Sequence, residues 1–440
     1  MTIAQTSYGD LPDVSKIQFG EVLGIDLGAP TNTLTHGLHR YPAKFIPQIP
    51  RWAIENFSSP GDAVLDPFCG SGTTLVEAIA SGRGGVGIDL DPLACLIASA
   101  KVQRVSVPRL KELSEEIIER VGNIPSELVP PIAGVKNFDR WFSEAAWAEL
   151  QSLRRAILSI DMEENERKFF LVVFSSIIRS VSNADDQSQK TYVSGTLKKI
   201  PPPVLATFRK KLTRSLEAAG ELNSVRKVGA SVVCASATSM PIDSGSIDLI
   251  VTSPPYLDSM DYMYNLMLEY FWLGENVGIH SRADFNVARK AGIGSKQPAD
   301  GGHALPQSLA GLIDEVSIPA YRKASIGPYF VEMARHFDEA SRVLKPGGRY
   351  VLVIGNSRTQ SGMLQLHNAL IFLAAAAGLH MDHAFAYRIR RHSMKFPRKG
   401  RGGIILMDWV ITLRKSDSGT ASGKMLSLLD DQLHPDAVAH

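Results

Sequence analysis

Cysteine is scarce in this sequence. Only Cys69, Cys95 and Cys234 occur in 440 residues, with no CxxC or Cys/His spacing, which argues against a zinc site and fits a reducing compartment. Long apolar runs are absent too, none reaching the ~18 residues of a membrane span. Met1 to Asp10 lacks the charged-then-apolar pattern of a signal peptide. The expectation is a cytoplasmic protein with no membrane contact and no metal. Net charge is also low, at +2, so a nucleic-acid partner requires basic residues that are clustered rather than general. What is present is ordinary for a globular chain: 44% hydrophobic and 21% charged residues. The length suggests two or three domains.

The first informative stretch is Ala63 to Ala78, where a short strand runs into Asp66-Pro67-Phe68-Cys69-Gly70-Ser71-Gly72-Thr73-Thr74 and the turn opens a helix. Gly70 and Gly72 permit close backbone approach by a ligand, and a helix start offers free N–H groups. A second strand, Gly85 to Asp89, ends in an acid 19 residues after Gly70. In a doubly wound sheet that places a carboxylate beside the glycine turn, where it can accept hydrogen bonds from ribose hydroxyls. The third glycine of a dinucleotide fingerprint is replaced by Leu75, and the Gly-Lys-Ser/Thr of a phosphate loop is missing. Asp66 at the strand end suits an amino-acid ammonium better than a pyrophosphate.

The second stretch is Val251-Thr252-Ser253-Pro254-Pro255-Tyr256, after the apolar run Ile247 to Ile250. Two prolines end the strand and fix φ. Rigid acceptors beside a tyrosine ring suit a planar group bearing an exocyclic amine, bonded at its hydrogens and stacked on its face. The plainer reading is a strand followed by a Pro-Pro turn.

Together, Asp66 to Thr74, Gly87-Ile88-Asp89-Leu90-Asp91 and Thr252 to Tyr256 resemble the S-adenosylmethionine-dependent DNA amino-methyltransferases, most of all the branch acting on N4 of cytosine. His39-Arg40-Tyr41-Pro42-Ala43-Lys44-Phe45 is similar to that family's early cofactor-binding segment. The resemblance implies a cofactor site of Lys44, Phe45, Asp66, Pro67, Phe68, Gly70, Gly72, Thr73, Asp89, Leu90 and Ser236. It also implies a catalytic segment of Ser253, Pro254, Pro255 and Tyr256. Where relatives often carry an acid near the cofactor adenine, this chain has Cys234-Ala235-Ser236-Ala237. An amine delocalised into a pyrimidine ring is a poor nucleophile. Acceptors at Ser253 and Pro254 favour its pyramidal form and stabilise the positive charge that grows on nitrogen. Carbon methylation needs a thiolate, and none of the cysteines follows a proline. A base inside a duplex must be flipped out to be reached.

The expected fold is α/β, a Rossmann-like seven-stranded methyltransferase sheet, mostly parallel with an antiparallel last strand, plus a largely helical insertion. Residues 1–34 read as an irregular lead-in, 35–101 as the first catalytic part, and 102–230 as the helical insertion and DNA-recognition region. The second catalytic part is 231–414, interrupted at 257–328, and 415–440 is a flexible tail. Two acid-free basic runs suggest phosphate contacts. One includes Lys190, Lys198, Lys199, Arg209, Lys210 and Lys211, the other Arg391, Lys395, Arg398 and Lys399. His36 and His39 read as structural histidines, and Asp261 to Leu273 as one apolar helix. The expected function is N4-cytosine methylation of double-stranded DNA, with a restriction endonuclease as a candidate partner. The alternatives are an N6-adenine DNA or RNA amino-methyltransferase, or a non-catalytic DNA-binding module of the same fold.

Overall fold

Strands Ala63–Asp66 and Ile247–Thr252 are short runs of branched residues, apolar on both faces, and they occupy the middle of a sheet covered on both sides. The computed structural model describes residues 7–8, 11–25, 32–42, 44, 46–121, 128–186, 188, 190–196, 198–257, 261–295, 309, 323–355, 357–359, 362–364, 366–388 and 407–416.

Among these, the strands in chain order are β1 (Ser7–Tyr8), β2 (Val22–Ile25), β3 (Ala63–Asp66), β4 (Gly84–Asp89), β5 (Ala230–Cys234), β6 (Ile247–Thr252), β7 (Leu344–Gly355), β8 (Ser357–Thr359), β9 (Gly362–Leu364), β10 (Leu379–Arg388) and β11 (Met407–Lys415). Nine of them form one sheet in the order β1-β2-β10-β11-β7-β6-β3-β4-β5, while β8 and β9 make a separate antiparallel pair. Within the nine, every pairing is parallel except the two made by β11. The expected α/β sheet with an antiparallel last strand is therefore present, but with nine strands instead of seven. The two extra strands come from the lead-in that reads as irregular. β2 is short and pairs with β10 at only two positions, Ala386 with Val22 and Tyr387 with Leu23, too little for a period to show.

Alternation along the central strands sorts side chains onto two faces. Val64, Leu249, Val251, Val351 and Val353 pack with Ile49, Trp52 and Ala53 of α1 (Gln48–Phe57). Leu65, Ile250, Leu352 and Ile354 pack on the opposite face. There they meet Tyr329, Phe330, Met333 and Phe337, which lie in the helix Lys323–Val343. Two further helices flank the first strands, α2 (Thr73–Ala80) and α3 (Pro92–Val102). The insertion between β4 and β5 adds α4 (Val107–Val121), α5 (Glu144–Ser159), α6 (Glu164–Val181) and α7 (Val204–Val225). Its core, with Phe170, Val172, Phe174 and Leu153 fully buried, is continuous with Leu93 and Ile97 of α3. The expected single helix after the Pro-Pro turn is two, α8 (Tyr262–Asn265) and α9 (Met267–Leu273). Leu266 breaks them, at φ −106° and ψ 21°. No helix among the described residues is long and apolar enough to cross a membrane.

Trp52 joins the flanking helix to the sheet. Its ring meets Phe385 edge-on at 5.0 Å, and its Nε1–H donates to Pro12 O at 2.8 Å. Trp52→Ala should destabilise the chain by about 3–5 kcal/mol, read as a lower urea midpoint with an unchanged slope.

Candidate active site

The parallel register brings the ends of β3, β4, β5 and β6 to one edge, so Asp66, Asp89, Cys234 and Thr252 stand side by side. Asp66 is 1% exposed. Its Oδ1 accepts from the Thr252 hydroxyl at 2.6 Å and the Phe68 amide at 3.2 Å, and its Oδ2 from the Thr74 hydroxyl at 2.7 Å. Burial pushes its pKa up to about 6, against the pull of those donors. Both oxygens of a carboxylate that reads as a partner for a ligand ammonium are thus engaged by the protein itself. Pro67 is buried behind it, and Phe68 lays its ring 4.7 Å from that of His336.

Gly70 and Gly72 have φ of +47° and +77°, which branched or bulky residues tolerate poorly. A Cβ on Gly70 would stand 3.1 Å from the Tyr41 ring, so Tyr41 lies directly on the turn. Gly72 caps α2 with no side-chain hydrogen bond, and Thr73 is buried as the first helical residue. The Gly70 amide donates to Asp89 Oδ2 at 2.7 Å and the Asp91 amide to Asp89 Oδ1 at 2.9 Å. Each Asp89 oxygen keeps a lone pair, and the residue remains partly exposed. Burial first, then the neighbouring Asp91 charge, raises the Asp89 pKa to about 7. Leu90 beside it is 43% exposed and Val233 38% exposed, an apolar surface next to the acid. Ser236 does not face that surface with a free hydroxyl. Its Oγ lies 2.9 Å from Thr238 Oγ1 and accepts from the Thr238 amide at 3.2 Å.

Ser253, Pro255 and Tyr256 are half-buried and Pro254 is buried. The Tyr256 hydroxyl donates to Asp408 Oδ1 at 3.0 Å, and the Tyr387 hydroxyl donates to Asp408 Oδ2 at 2.9 Å. Asp408 is 8% exposed, and burial raises its pKa. Sequence reasoning missed this anchor because it lies 152 positions from Tyr256. Asp261 to Leu273, which reads as one apolar helix, carries polar contacts as well. The Tyr270 hydroxyl donates to Asp91 Oδ1 at 2.5 Å. Tyr262 sits in the field of Asp89, and burial together with that charge pushes its pKa up to about 12.

The basic residues divide. Lys190, Lys198, Arg209 and Lys210 are exposed. Lys199 and Lys211 are turned inward, a correction to the phosphate-contact reading. Lys199 Nζ donates to Arg179 O at 2.9 Å and pairs with Asp186 at 2.8 Å, and Lys211 Nζ donates to Gly37 O at 2.7 Å. Lys44 likewise donates to His36 O at 3.0 Å. Phe45, Arg391, Lys395, Arg398 and Lys399 lie outside the described residues. His36 Nε2 is 2.7 Å from Glu77 Oε1, and His39 Nε2 is 3.0 Å from Ser175 Oγ.

A family model described as DNA methylase, covering N6 and N4 enzymes, matches residues 16–100. The chain is 24% identical over 404 residues to the type II methyltransferase M.MvaI of Kocuria varians, covering 85% of this chain and 87% of that one. These matches support the DNA amino-methyltransferase family. The type II methyltransferase M.BsoBI of Geobacillus stearothermophilus is 22% identical over 386 residues, 74% of this chain and 75% of that one. A DNA adenine methyltransferase of Escherichia coli, YhdJ, is 39% identical over 67 residues, 15% of this chain and 23% of that one.

Asp408→Ala strips the acceptor from the buried Tyr387 phenol and one partner from half-buried Tyr256. The expected cost is about 1–3 kcal/mol for the orphaned Tyr387 hydroxyl, measured by chemical denaturation. Tyr387→Phe, which removes only one donor, should cost less.

Proposed function

We propose that the chain transfers a methyl group from S-adenosylmethionine to the N4 amine of cytosine in double-stranded DNA. The observation that carries this reading is the meeting, on one sheet edge, of a glycine turn hydrogen-bonded to Asp89 and the Ser253-to-Tyr256 segment tied to Asp408. The residues present fit the cofactor. The Gly70 turn admits no side chain beneath Tyr41, Asp89 retains acceptor capacity for ribose hydroxyls, and exposed Leu90 offers a face for adenine. When bound, S-adenosylmethionine supplies an electrophilic methyl group.

The protein's part is positioning and charge. The Ser253 hydroxyl and Pro254 carbonyl accept the amine hydrogens and stabilise the charge that develops on nitrogen. Tyr256, its hydroxyl fixed by Asp408, presents its ring to the flipped base. Exposed Lys190, Lys198, Arg209 and Lys210 contact phosphates. Adenine N6 is the second reading, favoured by the short match to an enzyme named for adenine. The choice of cytosine rests on the serine of Ser-Pro-Pro-Tyr and its family resemblance.

Methyl transfer from labelled cofactor followed by nucleoside analysis should yield N4-methylcytosine in DNA. N6-methyladenine as the sole product would overturn the cytosine assignment. Ser253→Ala should lower turnover by roughly 10²–10³ with cofactor affinity unchanged.

Cofactor affinity should depend on pH. With the Asp89 pKa raised to about 7, the carboxylate that accepts ribose hydrogen bonds is lost as pH falls through that value. Calorimetric affinity should therefore weaken below about pH 7, and Asp89→Asn should flatten the profile. Asp89→Ala should cost about 1.5–3 kcal/mol per lost charge-assisted bond, and undiminished affinity would remove Asp89 from the site.

A further inference from the structure

Ile200 is 93% exposed, the most exposed large hydrophobic among the described residues, ahead of Val287 at 71%. A single exposed apolar side chain is ordinary, but this one is held out by a loop that is itself tightly fastened. Arg179, 8% exposed, donates to the carbonyls of Asp185 at 2.8 Å, Ser188 at 2.6 Å and Lys190 at 3.1 Å. The Thr191 hydroxyl donates to Asn265 O at 3.0 Å. Lys199, immediately before Ile200, is anchored on Arg179 O, Ala184 O and Asp186. Immediately after it come Pro201, Pro202 and Pro203, which fix φ and lead into α7. Ile200 is thus presented almost wholly exposed on a fastened stalk.

Its position follows from the topology. α7 leads directly into β5, which runs parallel to β4, so the amino end of α7 rises towards the carboxyl edge that carries Ser253. Asn265, to which the loop is bonded, ends α8, the helix that follows the Ser-Pro-Pro-Tyr segment. Exposed Lys190 and Lys198 and the 44%-exposed Tyr192 stand in the same loop, and exposed Arg209 and Lys210 continue along α7. That charge complements a polyphosphate backbone. A lone aliphatic side chain among cations matches the apolar wedges that enter between base pairs and unstack them.

We propose that Ile200 is such a wedge, inserted into the DNA duplex beside the nucleotide that is extruded into the Ser253 site. This rests on the reading of the chain as a DNA methyltransferase. Ile200 touches neither cofactor nor the reacting amine; it is a positioning residue that lowers the cost of breaking the stack.

The test compares wild type, Ile200→Ala and Ile200→Leu on two duplexes. Both carry the methylated sequence mapped on plasmid DNA treated with the wild-type protein. One is fully paired and the other lacks the base opposite the target. Ile200→Ala should lose about tenfold or more of its turnover on the paired duplex and recover to near the wild-type rate on the abasic one, where less pairing and stacking opposes extrusion. Ile200→Leu should stay close to wild type on both. Equal rates for Ile200→Ala and wild type on paired DNA would overturn the wedge, as would an equal loss on both duplexes. No methyl incorporation into DNA by the wild-type protein would instead overturn the underlying methyltransferase reading, and the wedge with it.

Discussion

The Asp66 carboxylate ties the ends of two adjacent strands, β3 and β6, to the helix that follows β3. Thr252 donates to it from β6 and Thr74 from α2, and the Phe68 amide closes the turn onto it. The residues these bonds fix are the neighbours of the glycine turn on one side and of Ser253 on the other. The separation between the glycine turn and the Ser253-to-Tyr256 segment is therefore held by one buried acid. Its desolvation is offset by three donors, a fully partnered polar centre of the kind that rigidifies a site. The raised pKa of Asp66 adds a sign to this. Its protonated form is favoured in the folded state below about pH 6, so its contribution to stability is full in acid and declines as pH rises through that value.

A second acid, Asp408, does similar work from farther away. Tyr256 and Tyr387 both donate to it, so the ring beside Ser253 is braced by strands on the far side of β7. The acidic pair Asp89 and Asp91 meets Tyr262 and Tyr270 from the α8–α9 region. The aromatic helices after the Pro-Pro turn thus bear on the Asp89 end of the edge as well as on the insertion's core.

The features legible in the sequence were those whose geometry is written in backbone-restricting residues. Gly70 and Gly72 mark a left-handed turn, Pro254 and Pro255 mark a strand's end, and Asp89 falls at the ribose spacing. These are local constraints, and local sequence states them. Asp408 was not legible, since nothing near it announces a partner 152 residues away. The charges of Lys199 and Lys211 were legible as a basic run. Their inward turn was not, because it depends on which backbone carbonyls the fold leaves open at Ala184, Arg179 and Gly37. β1 and β2 were hidden for a different reason. Strands two and four residues long show too few alternations to betray a period, and they exist because β10 offers an edge to pair with.

The place of β11 in the sheet has a consequence for biogenesis. It lies between β7 and β10, yet it leaves the ribosome after every other strand of the sheet. Until it arrives, β10 and the lead-in strand β2 have no strand pairing to the parallel centre, and the Tyr256 hydroxyl lacks its bond to Asp408. A nascent chain can thus assemble the half that carries the glycine turn while Tyr256 still lacks its tie to Asp408. Closure by one late strand completes both the sheet and this brace.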